Sequence, residues 1–129
     1  MIVLDTHALV WARAEPGRLS PAARRAITAA RAEGGAAVAS ISLHEVARLF
    51  ALGYLRPVGT VGQAVHDLFD GVTILTLTAE IAVLATAFAR GFPRDPADRL
   101  IAATARAYAV PLVTADRALR ASPHVETIW

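Results

Sequence analysis

Hydrophobic and polar positions along the chain switch repeatedly between short unbroken apolar runs and longer stretches with helical spacing. Met1–Leu4 reads as a short buried strand. Thr6–Ala14 reads as a helix with Ala8, Leu9, Trp11 and Ala12 apolar, ended by Glu15-Pro16-Gly17. Ser20-Pro21 supplies an N-cap and a first-turn proline for a helix through about Glu33, stopped by Gly34-Gly35. Ala36–Ala39 is a second strand. In Ser42–Leu52, Leu43, Val46, Leu49 and Phe50 recur at helical spacing and Gly53 offers a C-cap. After the loop at Arg56–Gly59, Thr60–Phe69 is a helix, Val72–Leu77 a third strand and Thr78–Arg90 a helix. Pro96–Ala109 is a strongly apolar helix, Pro111–Thr114 a fourth strand, Arg117–Ala121 a short helix and Val125–Ile128 a last strand. Strands alternating with helices predict a parallel sheet covered on both faces.

Four apolar runs are each followed closely by a carboxylate. Ile2–Leu4 leads into Asp5, Ala37–Ala39 into Glu45, Phe88–Phe92 into Asp95 and Asp98, and Leu112–Thr114 into Asp116. Parallel strands present their carboxyl ends along one edge of a sheet, so acids distant in sequence can meet there. Each acid also has a structural alternative. Asp5 fits the N-cap of the helix from Thr6, and Ser42 to Glu45 fits a capping box. Asp95 fits an N-cap with Asp98 in the first turn, and Asp116 fits the cap of Arg117–Ala121. Capping does not require the acids to converge. Metal binding does, because clustered carboxylates repel one another unless a cation sits among them. Hard oxygen donors suit Mg²⁺ or Mn²⁺ rather than zinc or copper.

Composition narrows the choices. At 129 residues the chain reads as one domain, residues 1–129, large enough to bury a core. Apolar content is 55%, much of it alanine, and no stretch reaches the roughly 18 apolar residues of a membrane span. The start of the chain lacks a basic leader and does not read as a signal peptide. There is no cysteine, which excludes disulfides and thiolate chemistry and fits the cytoplasm. All 13 basic residues are arginine, and the net charge is only +2. The balance does not itself predict nucleic acid, but any phosphate contact would be an arginine contact.

Taken together, four segments resemble the PIN-domain nucleases, and within them the VapC-type toxins of bacterial toxin–antitoxin pairs. They are Ile2-Val3-Leu4-Asp5-Thr6-His7, Ser40-Ile41-Ser42-Leu43-His44-Glu45, Asp95 through Ala105, and Pro111 through Asp116, spread over essentially the whole chain. The resemblance implies a three-layer α/β/α sandwich around a mostly parallel sheet of about five strands. It implies that Asp5, Glu45, Asp98 and Asp116 form the acidic quartet that holds Mg²⁺ or Mn²⁺, with Thr114 a hydroxyl close to the metal. Asp95, one helical turn before Asp98, is assigned to the cap; with Thr6, Ser42 and Arg99 it is a candidate for a supporting or substrate-contacting role. The implied activity is metal-dependent hydrolysis of RNA, leaving a 5′-phosphate and a 3′-hydroxyl. The implied partners are an antitoxin covering the active site and a second copy of the chain in a homodimer. The alternative is a catalytically silent PIN-like module that binds RNA or protein.

Other motifs fail on particular residues. His44-Glu45-Val46-Ala47-Arg48 ends in arginine where a zinc-protease helix needs its second histidine. A haloacid-dehalogenase-type phosphatase needs an aspartate where His7 stands, and it and a phosphate-accepting receiver domain use a lysine this chain lacks. Glycine-rich nucleotide loops are absent. Arg94, Arg99 and Arg117 flank the acids and are candidates for phosphate contacts. Trp11 and Trp129 read as core or interface rather than base-stacking platforms. The helix at Ser20–Glu33 has a shallow apolar face of Ala22, Ala23, Ala26, Ile27 and Ala30, suited either to its own sheet or to a partner helix.

Overall fold

A computed structural model describes residues 1–129. It contains five strands: β1 (Ile2–Leu4), β2 (Ala36–Ala39), β3 (Thr73–Leu75), β4 (Leu112–Val113) and β5 (Thr127–Ile128). Seven helices accompany them: α1 (Thr6–Ala14), α2 (Pro21–Ala32), α3 (Ile41–Ala51), α4 (Val61–Leu68), α5 (Ala79–Thr86), α6 (Pro96–Ala107) and α7 (Arg117–Ala121). A 3₁₀ turn at Pro16–Arg18, absent from the sequence expectation, follows α1.

The strands form one parallel sheet in the order β3-β2-β1-β4-β5. Val3 pairs with Ala37 on one side and Leu112 on the other, which puts β1 at the centre. Successive side chains of a strand point to opposite faces. Val3, Ala37, Ala39 and Leu112 accordingly join Ile81 and Ala85 of α5 and Ile101 and Ala105 of α6 in one core. Ile2, Leu4, Val38 and Val113 join Ala8 and Leu9 of α1, Ala23 and Ile27 of α2 and Val46 of α3 in the other. The architecture is the three-layer sandwich the sequence implies. Helix α2 lays its small-residue face on its own sheet, against β1, β2 and β5.

Three elements depart from expectation. The third strand stops at Leu75 because its neighbour β2 stops at Ala39, the residue paired with Leu75. Beyond it, the Leu77 N–H donates to Ser40 Oγ instead. Helix α5 ends at Thr86, whose hydroxyl donates back to the Val83 carbonyl. Phe88 and Phe92 then stack at 4.2 Å and turn into the core, so the helix expected to reach Arg90 stops short of it. Helix α3 begins at Ile41 rather than Ser42, and its N-cap, Ser40, makes no side-chain cap bond.

The connections after β1 lead outward through β2 to β3, whereas β4 returns to the other side of β1. The chain direction therefore splits at the β1–β4 boundary, and open parallel sheets place their functional crevice at such a point, beyond the strand carboxyl ends.

Candidate active site

Asp5 leaves β1 at that boundary and is buried, with 8% of its surface exposed. It caps α1: Oδ1 accepts the Thr6 N–H at 2.7 Å. Oδ2 accepts the Thr114 hydroxyl proton at 2.7 Å. The Thr114 oxygen in turn accepts the Asp116 N–H at 3.1 Å. One fully buried threonine at the end of β4 thus ties the first acid to the turn bearing the last. Asp116 caps α7, with Oδ1 accepting the Leu119 N–H at 2.9 Å.

Glu45 arrives from the first turns of α3. Its Oε1 accepts the Thr6 hydroxyl proton at 2.5 Å. Thr6 Oγ1 also lies 2.8 Å from Ser42 Oγ. Thr6 has one hydroxyl hydrogen, and Glu45 takes it, so Ser42 is the donor in that second bond. Thr6 and Ser42 are both buried. The capping-box alternative for Ser42 and Glu45 does not hold: Ser42 lies inside α3, and its hydroxyl and Glu45 Oε1 both bond Thr6 instead.

Asp95 caps α6 with Oδ1, which accepts the N–H of Ala97 at 2.8 Å and of Asp98 at 3.2 Å. Asp98 occupies the first turn of α6. Its carboxyl is pushed up to about 7, first by burial and then by the negative charges of Asp95, Asp5, Asp116 and Glu45. Burial also raises Asp5 and Glu45, against the hydrogen bonds from Thr114 and Thr6 that pull them down. Asp116 adds to the rise at Asp5, and Asp5 and Asp95 add to it at Glu45. Capping and convergence are therefore not rivals. Asp5, Asp95 and Asp116 each spend an oxygen on a helix N-terminus while contributing to one negative field.

That field is not neutralised by arginine. The ion pairs of the chain are Arg18–Glu15 and the exposed His66–Asp67, and none involves the cluster. Arg99, a sequence candidate, donates instead to the Ala85 carbonyl at 3.0 Å and lies 5.6 Å over the Phe92 ring. It braces α6 against α5. Arg94 and Arg99 line a groove between those helices rather than the crevice of the acids. His7 is the nearby positive influence, lowering both Asp5 and Glu45 when charged. His44 lines a cleft with Ser40, Ile41, Leu77, Leu100 and Thr104, between α3 and α6. What the sequence reading missed is the bond between Thr6 and Ser42. Nothing in the spacing of those residues signals it, since it joins elements 36 positions apart.

The donor set fits a hard divalent cation: carboxylate oxygens only, uncompensated, and braced by hydroxyls. No three of the His, Asp and Glu side chains stand close enough to grip one ion directly as they are. Mg²⁺ commonly keeps several waters and takes only one or two carboxylates directly, which suits so open a cluster.

The PIN domain family model matches residues 2–124. The chain is 40% identical to Ribonuclease VapC22 of Mycobacterium tuberculosis (strain ATCC 25618 / H37Rv) over 99% of this chain and 98% of that one. Among solved structures, VapBC2 from Rickettsia felis, bound to a DNA fragment from its promoter, aligns with a TM-score of 0.74 at 18% identity. That alignment covers 98% of this chain and 97% of the other. A toxin–antitoxin complex from Klebsiella pneumoniae aligns with a TM-score of 0.68 at 19% identity over 97% and 95%. FitAcB from Neisseria gonorrhoeae does so with a TM-score of 0.68 at 21% over 98% and 96%.

Proposed function

The chain belongs to the PIN-domain family and, within it, to the VapC ribonucleases, and from that premise we propose that it is a toxin cleaving RNA with Mg²⁺ or Mn²⁺ held by Asp5, Glu45, Asp98 and Asp116. The observation that carries this reading is that β1, α3, α6 and the turn after β4 bring these acids, partly buried, into one another's field at a single sheet edge, with no arginine ion-paired to them. A silent binding module has no use for so costly an arrangement.

When bound, the ion supplies an activated water and offsets charge on the phosphodiester. The chain's own residues do the positioning. Thr114 and the Thr6 N–H fix both oxygens of Asp5 and leave further lone pairs on each. Thr6, steadied by Ser42, fixes one oxygen of Glu45 and leaves Oε2 for the ion. Asp98, raised to about 7, is only partly ionised near neutral pH, so cation binding and proton release are linked there. Asp95 holds the N-terminus of α6, and hence Asp98, in place.

We take residues 1–129 as one nuclease domain acting in the cytoplasm as a homodimer. No helix is long and apolar enough to cross a membrane. The solved relatives named above include toxin–antitoxin assemblies, which supports an antitoxin partner that covers the acids and silences them.

Calorimetric titration with Mn²⁺ tests the metal assignment without an RNA substrate. Binding by the wild-type chain, weakened at least tenfold in Asp5→Asn and in Asp98→Asn, is expected. Equal affinity in all three proteins would remove the quartet from the metal site.

A further inference from the structure

Beside the acids runs a ladder of aromatic rings that the nuclease reading does not use. The His7 and Trp11 ring centroids are 5.8 Å apart, and Trp11 and Trp129 are also 5.8 Å apart. Both ends of the ladder are tied to the site. His7 follows Thr6, whose hydroxyl holds Glu45. Trp129 follows Ile128, whose carbonyl accepts the Thr114 N–H, and Thr114 holds Asp5. Because β5 is parallel to β4, Trp129 leaves the sheet at the same edge as Asp116.

The rings are inclined at 54° and 58°, so they do not cover one another's faces as a stacked pair would. His7 is exposed and both tryptophans are half-buried at the margin of the core. The Arg18 guanidinium lies 4.4 Å over Trp11, and its ion partner is the exposed Glu15 at 3.5 Å. A tilted row of partly exposed rings, one of them carrying a stacked arginine on its face, offers the elements of a single-strand nucleic-acid platform: bases stack on the exposed parts of the rings and the arginine meets a phosphate.

We propose that His7, Trp11 and Trp129, with Arg18, form a subsite that stacks unpaired nucleobases of the RNA next to the phosphate being cleaved. This rests on the ribonuclease reading and narrows its substrate. RNA must present splayed, single-stranded bases at the cut, because bases inside an A-form helix do not reach aromatic faces.

Trp11 and Trp129 are the only tryptophans, so their fluorescence reports the subsite directly. The experiment uses the full chain carrying Asp5→Asn, in Mg²⁺, titrated with a single-stranded RNA oligonucleotide and with a blunt RNA duplex. Saturable quenching by the single strand and little by the duplex is expected. Trp129→Leu, which keeps an apolar side chain and removes the ring, is expected to weaken single-strand binding about tenfold or more, and Trp129→Phe to recover most of it. Melting temperatures show whether each variant is folded, and the unmutated tryptophans test the idea even if Trp129→Leu is not. Binding without quenching, equal quenching by duplex, or folded Trp129→Leu and Trp11→Leu variants binding within twofold of their parent each overturn the proposal. If the wild-type chain still cleaves RNA in that case, the subsite alone fails. If it neither binds nor cleaves RNA, the ribonuclease reading fails with it.

Discussion

Asp98→Asn should stabilise the metal-free protein while abolishing its chemistry. A carboxyl raised from 3.8 to about 7 is one whose ionised form the fold disfavours. Between those values the folded chain holds a proton that the unfolded chain releases, so stability falls as pH rises through that window. At about 1.4 kcal/mol per pH unit, the whole interval sets an upper limit of about 4 kcal/mol. Asp98 is only half-buried, and solvent screening reduces this to about 2 kcal/mol. The substitution also removes a negative charge from the first turn of α6, which costs about 0.5 kcal/mol of helix-dipole stabilisation. The Asp98 backbone N–H keeps its bond to Asp95 in the variant. The net gain at pH 7.5 is about 1–1.5 kcal/mol, or roughly 3–6 °C in Tm for a chain of this size. Thermal melts in chelator at pH 4.5 and 7.5 read this directly, with the variant's advantage appearing only at the higher pH. Adding Mn²⁺ should raise the wild type and shrink the gap, since a ligand that binds only the folded state stabilises it. A variant no more stable than wild type at pH 7.5, or an advantage independent of pH, would refute the view that burial and the neighbouring carboxylates hold Asp98 against its ionisation.

Asp95→Ala loses a cap worth about 1 kcal/mol, expected in full in denaturant melts at pH 4.5. At pH 7.5 the loss should be smaller, because Asp95 carries the charge that weighs most on Asp98. Equal denaturation midpoints at pH 4.5 would show that the cap contributes nothing. Thr6→Val leaves the buried Ser42 hydroxyl without its acceptor and Glu45 without its donor. Stability should drop by about 1–3 kcal/mol and cleavage should be lost, with both restored largely by Thr6→Ser. A Thr6→Val protein cleaving as wild type would remove Thr6 from the site. Ala109 ends α6 at a φ of 53°, a conformation that costs a residue with a Cβ about 1 kcal/mol. Ala109→Gly should therefore raise the denaturation midpoint, and a lowered midpoint would contradict this.

Where local chemistry settles an element, the sequence already shows it. Ser20-Pro21 starts α2, and its hydroxyl accepts the Ala23 N–H at 3.0 Å as an N-cap should. Gly34, at a φ of 69°, ends that helix. The alternating faces of β1 and β2 follow from unbroken apolar runs with helices on both sides. What depended on distant partners was not legible. The end of β3 is set by where β2 stops, and the end of α5 by two phenylalanines that turn into the core. Asp5, Asp95 and Asp116 could be found singly as caps, but the field they share with Glu45 and Asp98 depends on β1, α3, α6 and β4 being brought to one edge. Arginine roles were least legible: Arg99 sits one residue from Asp98, yet its long side chain crosses to α5 and Phe92.

The most direct test of the central claim is a cleavage assay on purified, antitoxin-free protein with single-stranded RNA in Mg²⁺, Mn²⁺ or chelator. Asp5→Asn, shown by melting to be folded, is assayed beside it. Cleavage that requires the metal, leaves 5′-phosphate ends and disappears in Asp5→Asn is the predicted result. Metal-dependent cleavage by a folded Asp5→Asn equal to that of an equally pure wild type, or wild-type cleavage undiminished in chelator, would contradict it.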